Sequence, residues 1–342
     1  MAFQFDQEYK ETLNYNKNAL SVFKFPRGNI FTGMELLLSA KVNVTGVSSN
    51  APDFQIFNLI DTVQLVRDSK NIVWNISGKA LALYFTNGLR YGLPAAAGNA
   101  LIAGAIANAV TGQHYLNCSF APFDAPKQGE FGCDTRGHSY ELRIKWADAT
   151  QAGILFGTVG GITVVQNSDI TLDIQLNQVN LINNPTNGQP DSLTLRQNGS
   201  SPALMMGLIE TVDAIAQANP KFPRDVPNNM SYRDIILWTT DTPNANQEVG
   251  VSTILNNEIT LQDSQGDVKM APKASMVHQR TSQNWGLGTG VNAGVYDLQL
   301  LPYGSSMDVY VDSAVQDLGL VLDVNAGTAA QVRTIFVTQQ TQ

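Results

Sequence analysis

Charge is scarce in this sequence. Lysine and arginine number 21 and aspartate and glutamate 29 among 342 residues, or 15%, against the usual quarter. The balance is acidic, at −8. A nucleic-acid binder needs a basic stripe to neutralise phosphates; none is present, which argues against direct sequence-specific nucleic-acid binding. Histidine and cysteine are rarer still, at His114, His138 and His278 and at Cys118 and Cys133. The opening MAFQFDQEYK has acids and polar residues where a secretory leader has a basic start and an apolar run. The five N-x-S/T sites, Asn43 and Asn229 among them, are therefore expected to carry no glycan. Leu93 to Val110 is 18 residues of mostly Ala and Gly, too weakly apolar to span a bilayer.

Catalytic motifs are missing too. There is no G-x-S-x-G elbow, no H-E-x-x-H and no phosphate loop. The Gly-rich GTVGG at 157–161 lacks the following Lys and helix and reads as a turn. Glu141, Asp173, Asp308 and Asp312 are candidates for a glycosidase carboxylate pair, which meets only in space. Each also fits a solvent-facing strand position. His114, Cys118, Cys133 and His138 follow the pattern H-x3-C, 14 residues, C-x4-H. A structural zinc site, a Cys118–Cys133 disulfide and two free buried thiols all remain open. Acidic turns at Asp124, Asp134 and Asp263 are candidates for structural calcium, without the spacing of an EF-hand. No other cofactor is expected.

What is present is β pattern, and it occurs twice. IDTVQLVRDSKNIVW at 60–74 and LNNEITLQDSQGDVKM at 255–270 share an alternating strand, an Asp-Ser turn and a second short strand, offset by about 195 residues. A second echo pairs YELRI at 140–144 with YDLQL at 296–300. Residues 34–47 read as a long strand, and 54–84 as two or three more, turning at Asp68-Ser69 and near Ser77-Gly78. Clean alternation over Ile170, Leu172, Ile174 and Leu176 marks a half-buried strand, and Leu318, Leu320 and Leu322 repeat it. Such spacing indicates antiparallel sandwiches or barrels, not an α/β enzyme. Trp74 and Trp238 sit in apolar strand contexts, as core residues do. A helix is expected between the halves, N-capped by Ser201 with Pro202 in its first turn and Leu204, Leu208, Val212 and Ile215 along one side.

Tyr91 to Phe123 contains no Asp, Glu, Lys or Arg in 33 residues. Two readings fit: an excursion buried against neighbours, or an Ala-rich helix packed on a sheet. Asn and Gln together number 54 and replace charge on the polar surface. That composition suits close packing of many identical chains. The expected organisation is an arm at 1–28, a first β unit at 29–200 with a long insertion at 87–137, a connecting helix at 201–224 and a second β unit at 225–342. The arm carries a mild basic excess, Lys10, Lys17, Lys24 and Arg27, which fits either a solvated arm or one facing anionic lipid or a neighbouring subunit.

The duplicated pattern, with TVQLVRDSKNIVWNISG at 62–78, EITLQDSQGDVKM at 258–270, the expected helix at 202–218 and VRTIFVT at 332–338, resembles the double jelly-roll major capsid proteins of tailless, icosahedral, membrane-containing bacteriophages. The resemblance implies an all-β chain of two eight-stranded antiparallel jelly rolls side by side, with a joining helix. It implies homotrimers of pseudo-hexagonal outline that tile a shell around an internal membrane, contacts with neighbouring capsomers and with penton or minor capsid proteins, and no catalytic residue. The chain would be made in the host cytoplasm and end in the virion. One departure is the second half, about 118 residues against about 172 in the first. The competing reading is a carbohydrate-binding or glycan-hydrolysing jelly roll.

Overall fold

The computed structural model describes residues 4–6, 9–45, 54–87, 109–122, 131–156, 161–164, 166–180, 204–244, 247–284, 294–300, 311–312 and 317–341. In chain order, β1 (Lys10–Asn14), β2 (Leu20–Lys24), β3 (Ile30–Thr45), β4 (Ile60–Arg67) and β5 (Asn71–Ile76) lead into helix α1 (Gly78–Asn87). β6 (Ala109–Ser119), β7 (Tyr140–Trp146) and β8 (Ile170–Asn180) follow. The second set repeats this order. It runs β9 (Leu204–Ile215), β10 (Asn219–Asp225), β11 (Ser231–Asn244), β12 (Leu255–Asp263), β13 (Val268–Met270), α2 (Ala274–Asn284), β14 (Val295–Gln299), β15 (Leu318–Val324) and β16 (Ala330–Thr341).

The pairing repeats as well. In the first set one sheet runs β1-β8-β3-β6 and the other β2-β7-β4-β5, all antiparallel. In the second, the orders are β9-β16-β11-β14 and β10-β15-β12-β13, again antiparallel. Adding eight to each label of the first set gives the second. Each set is an eight-stranded jelly roll. The echo between 60–74 and 255–270 is therefore a true equivalence, since β4–β5 and β12–β13 are the same hairpin. In the first, Asp68 and Ser69 take φ of 52° and 57° at the turn, which matches the twist of a tight hairpin. The echo between YELRI and YDLQL is not an equivalence, because the first lies in β7 and the second in β14, positions seven and six of their rolls.

The rolls share a sheet. β5 pairs in parallel with β9 through Trp74–Leu208 and Asn75–Ile209, which joins the two halves into one ten-stranded sheet. That sheet is the middle layer. On one face Ile236, Trp238, Ile335 and Val337 join the core of the first roll. On the other, Ile235, Leu237, Val332 and Phe336 form the core of the second. Strands covered on both faces read as continuous apolar runs, and residues 232–240 are buried without a break.

This two-sided burial overturns the connecting helix at 201–224. Residues 204–215 are the strand β9, paired along its whole length with β16, and 219–225 are β10. Met205, Met206, Gly207 and Leu208 are buried in succession, so period-two alternation is lost and the apolar spacing imitates a helix. Gly207 lies tight against the Thr338 side chain, where a Cβ would overlap it. The helices lie elsewhere, one after each hairpin. α1 begins where the Ala80 N–H donates to Ser77 Oγ at 3.3 Å, an N-cap contact. Its Ala80–Phe85 run is buried on every side. In α2, Ala274, Val277 and Thr281 are buried, one stripe of an amphipathic helix.

The arm at 1–28 is also corrected. It contains β1 and β2, which belong to different sheets of the first roll. Within the expected insertion at 87–137, residues 109–119 are a full strand beside β3; residues 88–108 and 123–130 lie outside the described residues. So do the break at 183–192, the first four residues of GTVGG, and Trp285. Trp74, Trp146 and Trp238 are buried.

Candidate functional site

The seam between the rolls is built by α1. The helix fills the space between the outer sheet of the first roll and the shared sheet, with Tyr84 Oη 3.3 Å from Met206 Sδ and the ring of Phe54 edge-on to Trp238 at 5.7 Å. Into this apolar seam four charged side chains converge from four elements. Lys79 comes from α1, Glu210 from β9, Arg333 from β16 and Glu248 from the short strand Gln247–Gly250. Arg333 Nη1 is 2.9 Å from Glu210 Oε1, and its Nε is 2.8 Å from Glu248 Oε1. Lys79 donates to Glu248 Oε2. The Ser77 N–H donates to Glu210 Oε2 at 2.6 Å and Thr240 Oγ1 to Glu248 Oε1 at 2.9 Å. The guanidinium also stands 5.9 Å from the Trp238 ring, within cation–π range.

Two cations against two carboxylates leave the cluster neutral, which offsets the cost of burying each. Burial pulls the Lys79 ammonium below its ordinary value, and the neighbouring Arg333 adds to this. For Glu248, burial pushes upward, but Lys79 and Arg333 outweigh it and hold the carboxyl at about 2. Burial likewise opposes the charge of Arg333, and Glu248 and Glu210 raise it nonetheless. Nothing here is arranged to attack a substrate; the cluster fixes how one roll sits on the other. Sequence reasoning missed it. Its only signal was a lone charge inside each of three apolar runs, Lys79, Glu210 and Arg333.

The sequence-predicted site residues are scattered. His114, half-buried in β6, meets Phe57 edge-on at 5.1 Å, and burial pushes its pKa down. Cys118 and Cys133 are free, fully buried thiols opposite Met34 and Phe31 of β3, and burial raises both well above the usual thiol range. His138 pairs instead with Asp68 at 2.7 Å. Among the described residues no three His, Cys, Asp or Glu gather to hold an ion. Asp134 is engaged by Arg136, and Asp263 accepts from the N–H groups of Gln265 and Asp267 and pairs with Lys269. Asp124 and Asp308 lie outside the described residues. Glu141 faces Arg143 on β7 and Asp173 accepts from Thr12 on β8, in different sheets. Asp312 is in a two-residue strand beside β11.

The four basic residues do not form one patch. Lys10 lies on β1, Lys17 in the β1–β2 turn paired with Asp148 at 2.7 Å, and Lys24 and Arg27 at the far end of β2. Among the described residues no helix is long and apolar enough to cross a membrane.

Two hollows mark the outer sheets. A groove of about 1200 Å³ runs beside α2, lined by polar groups that include Asn257, Glu258, Lys273 and Asp323. A smaller hollow of about 360 Å³ lies on the outward face of β1-β8-β3-β6, around Leu37 and Tyr115. Burial and the adjacent Glu35 carboxylate push the Tyr115 phenol up to about 12.

No protein-family model and no curated protein matches the chain. Solved structures do, across both rolls. The STIV MCP superposes with a TM-score of 0.66 at 14% identity, covering 97% of this chain and 96% of that one. The PBCV-1 virus capsid gives 0.59 at 12% identity over 100% and 94%. The major capsid protein P2 from bacteriophage PM2 gives 0.55 at 13% identity over 98% and 98%. The fold is thus the double jelly roll found in viral major capsid proteins. It is not confined to bacteriophages, since Sulfolobus Turreted Icosahedral Virus is among the matches.

Proposed function

We propose that this chain is the building block of a viral icosahedral shell, residing in the virion, with a structural and not a catalytic task. One observation carries the reading: the likeness to capsid proteins spans both rolls and nearly the full length of both chains. Three chains would form a trimer with a pseudo-hexagonal outline, because two similar rolls taken three times give six similar corners. Such trimers would tile facets around an internal membrane and meet neighbouring capsomers and penton or minor capsid proteins. The scarcity of charge supports this, since little desolvation cost arises where subunits touch. Lys10, Lys17, Lys24 and Arg27 lend no support to a single membrane-facing arm, being dispersed over the first roll.

Native mass spectrometry with electron microscopy of the purified chain tests the reading. A stable trimer of near-hexagonal outline is the expected result. A monomer that turns over a glycan would overturn it.

A further inference from the structure

Alternation decides what the outer sheet of the second roll shows to solvent. In β12, Ile259 and Leu261 enter the core, while Glu258, Thr260 and Gln262 line the groove beside α2. In β15, Leu320 and Leu322 point inward, and Val321 and Asp323 line the groove. α2 adds Ser275, His278 and Gln279, which at i, i+3 and i+4 share one side of the helix. The space between is about 1200 Å³, above the roughly 300–1,000 Å³ that holds a single drug-sized ligand. It has room for a chain of several units.

The lining excludes most occupants. Lys221 and Lys273 are balanced by Glu258 and Asp323, so a polyphosphate or a nucleic-acid strand meets no excess of positive charge. Leu255 and Tyr296 are buried, at 7% and 1% exposure, so an acyl chain finds little apolar surface to cover. An extended peptide binds by joining a sheet edge, but the floor here is a sheet face. β12 already pairs with β15 and β13, and β15 also with β10. What fits is a ligand read by side chains alone, through groups that both give and take hydrogen bonds.

The lining supplies both roles. The Asn257 amide donates to Asp323 and holds that carboxylate in place. Asn325 donates to the Asn256 carbonyl at 2.9 Å, which leaves the Asn256 NH2 to donate. His278 Nδ1 donates to the Val295 carbonyl at 3.0 Å, so Nε2 of the neutral ring accepts. Glu258 and Lys273 stand opposite each other. Among the described residues their heads form no ion pair, and those of Gln262 and Gln279 bond nothing within the chain. A sugar hydroxyl is donor and acceptor at once, and this mixture answers it.

We propose that the groove binds a neutral, hydroxyl-rich chain, an oligosaccharide, and holds it without cleaving it. The buried Tyr296 offers no ring face to stack on a sugar, so one groove binds weakly. Resting on the shell reading, many copies side by side turn weak single contacts into firm attachment to a glycan-coated surface.

Saturation-transfer NMR on the full chain tests this, with maltoheptaose, cellohexaose, chitohexaose and mannohexaose as probes and a heparin hexasaccharide as the anionic comparison. At least one neutral probe is expected to take up saturation at millimolar concentration and to keep its length on incubation. Glu258→Ala combined with Gln279→Ala is expected to weaken that binding on the order of tenfold. Thr260→Trp, which fills the groove, is expected to abolish it. Met276→Gln, on another side of α2, is expected to leave it unchanged. Unchanged thermal unfolding would show that the variants fold. Transfer that survives Thr260→Trp, transfer to heparin alone, shortened probes, or no transfer to any probe overturns the proposal. Trimers that bind no probe would remove the groove's role and keep the shell. Binding by a chain that stays monomeric at every concentration would do the reverse.

Discussion

Arg333 reaches the seam from β16 and touches carboxylates of two other strands. Arg333→Met removes the cation that bonds both Glu210 and Glu248 and leaves Lys79 alone against two buried carboxylates. Breaking a buried pair in this way costs about 3–5 kcal/mol, measured as a lower denaturant midpoint with unchanged slope. Glu248 makes a second prediction, in pH. Its folded pKa, about 2, lies below the ordinary 4.5. The associated stability is therefore fully present above 4.5 and is lost as pH falls through about 2, a contribution on the order of 3 kcal/mol. Glu248→Gln should remove that acid-dependent part, so unfolding free energies of the variant should fall less steeply between pH 4.5 and 2. Neither residue was legible as a pair from sequence, because Glu248 and Arg333 are 85 positions apart and nothing local marks partners that meet only through the sheet order.

At the scale of elements, the hairpins were legible and the helices were not. β4–β5 and β12–β13 show alternation on either side of an Asp-Ser turn, which is local information. β8 and β15 show it too, since each has one face in a core and one in solvent. β9 lost that signature where both its faces are covered. α1 was read as strand because its apolar run, covered on all sides, carries no helical period. At Gly78, which opens α1, a Cβ would overlap the carbonyl of Phe57 and the side chain of Ile60. Gly78→Ala should therefore push the helix off its bed and destabilise the chain by about 1–3 kcal/mol, seen as a lower melting temperature. Hydrogen exchange offers a gentler test. In the unassembled chain, amides of α1 should exchange more slowly than those of α2, because only α1 must wait for the rolls to part.

For the whole molecule, the sequence showed that something β was said twice but not how the two statements were joined. The parallel contact of β5 with β9 spans two residue pairs, too little to leave a pattern. The long uncharged stretch from Tyr91 to Phe123 is accounted for only at its end, where β6 lies beside β3; the choice between neighbour-facing excursion and Ala-rich helix falls on residues outside those described. The two sulfhydryls have a further use. Both belong to the first roll, deep in its interior, and the second roll has no cysteine at all. A thiol-reactive dye added during gradual denaturation would therefore label one half of the molecule and ignore the other. Comparing its uptake with the loss of far-UV circular dichroism, to which the strands of both rolls contribute, would show whether the first half opens together with the second or apart from it, with no engineered probe.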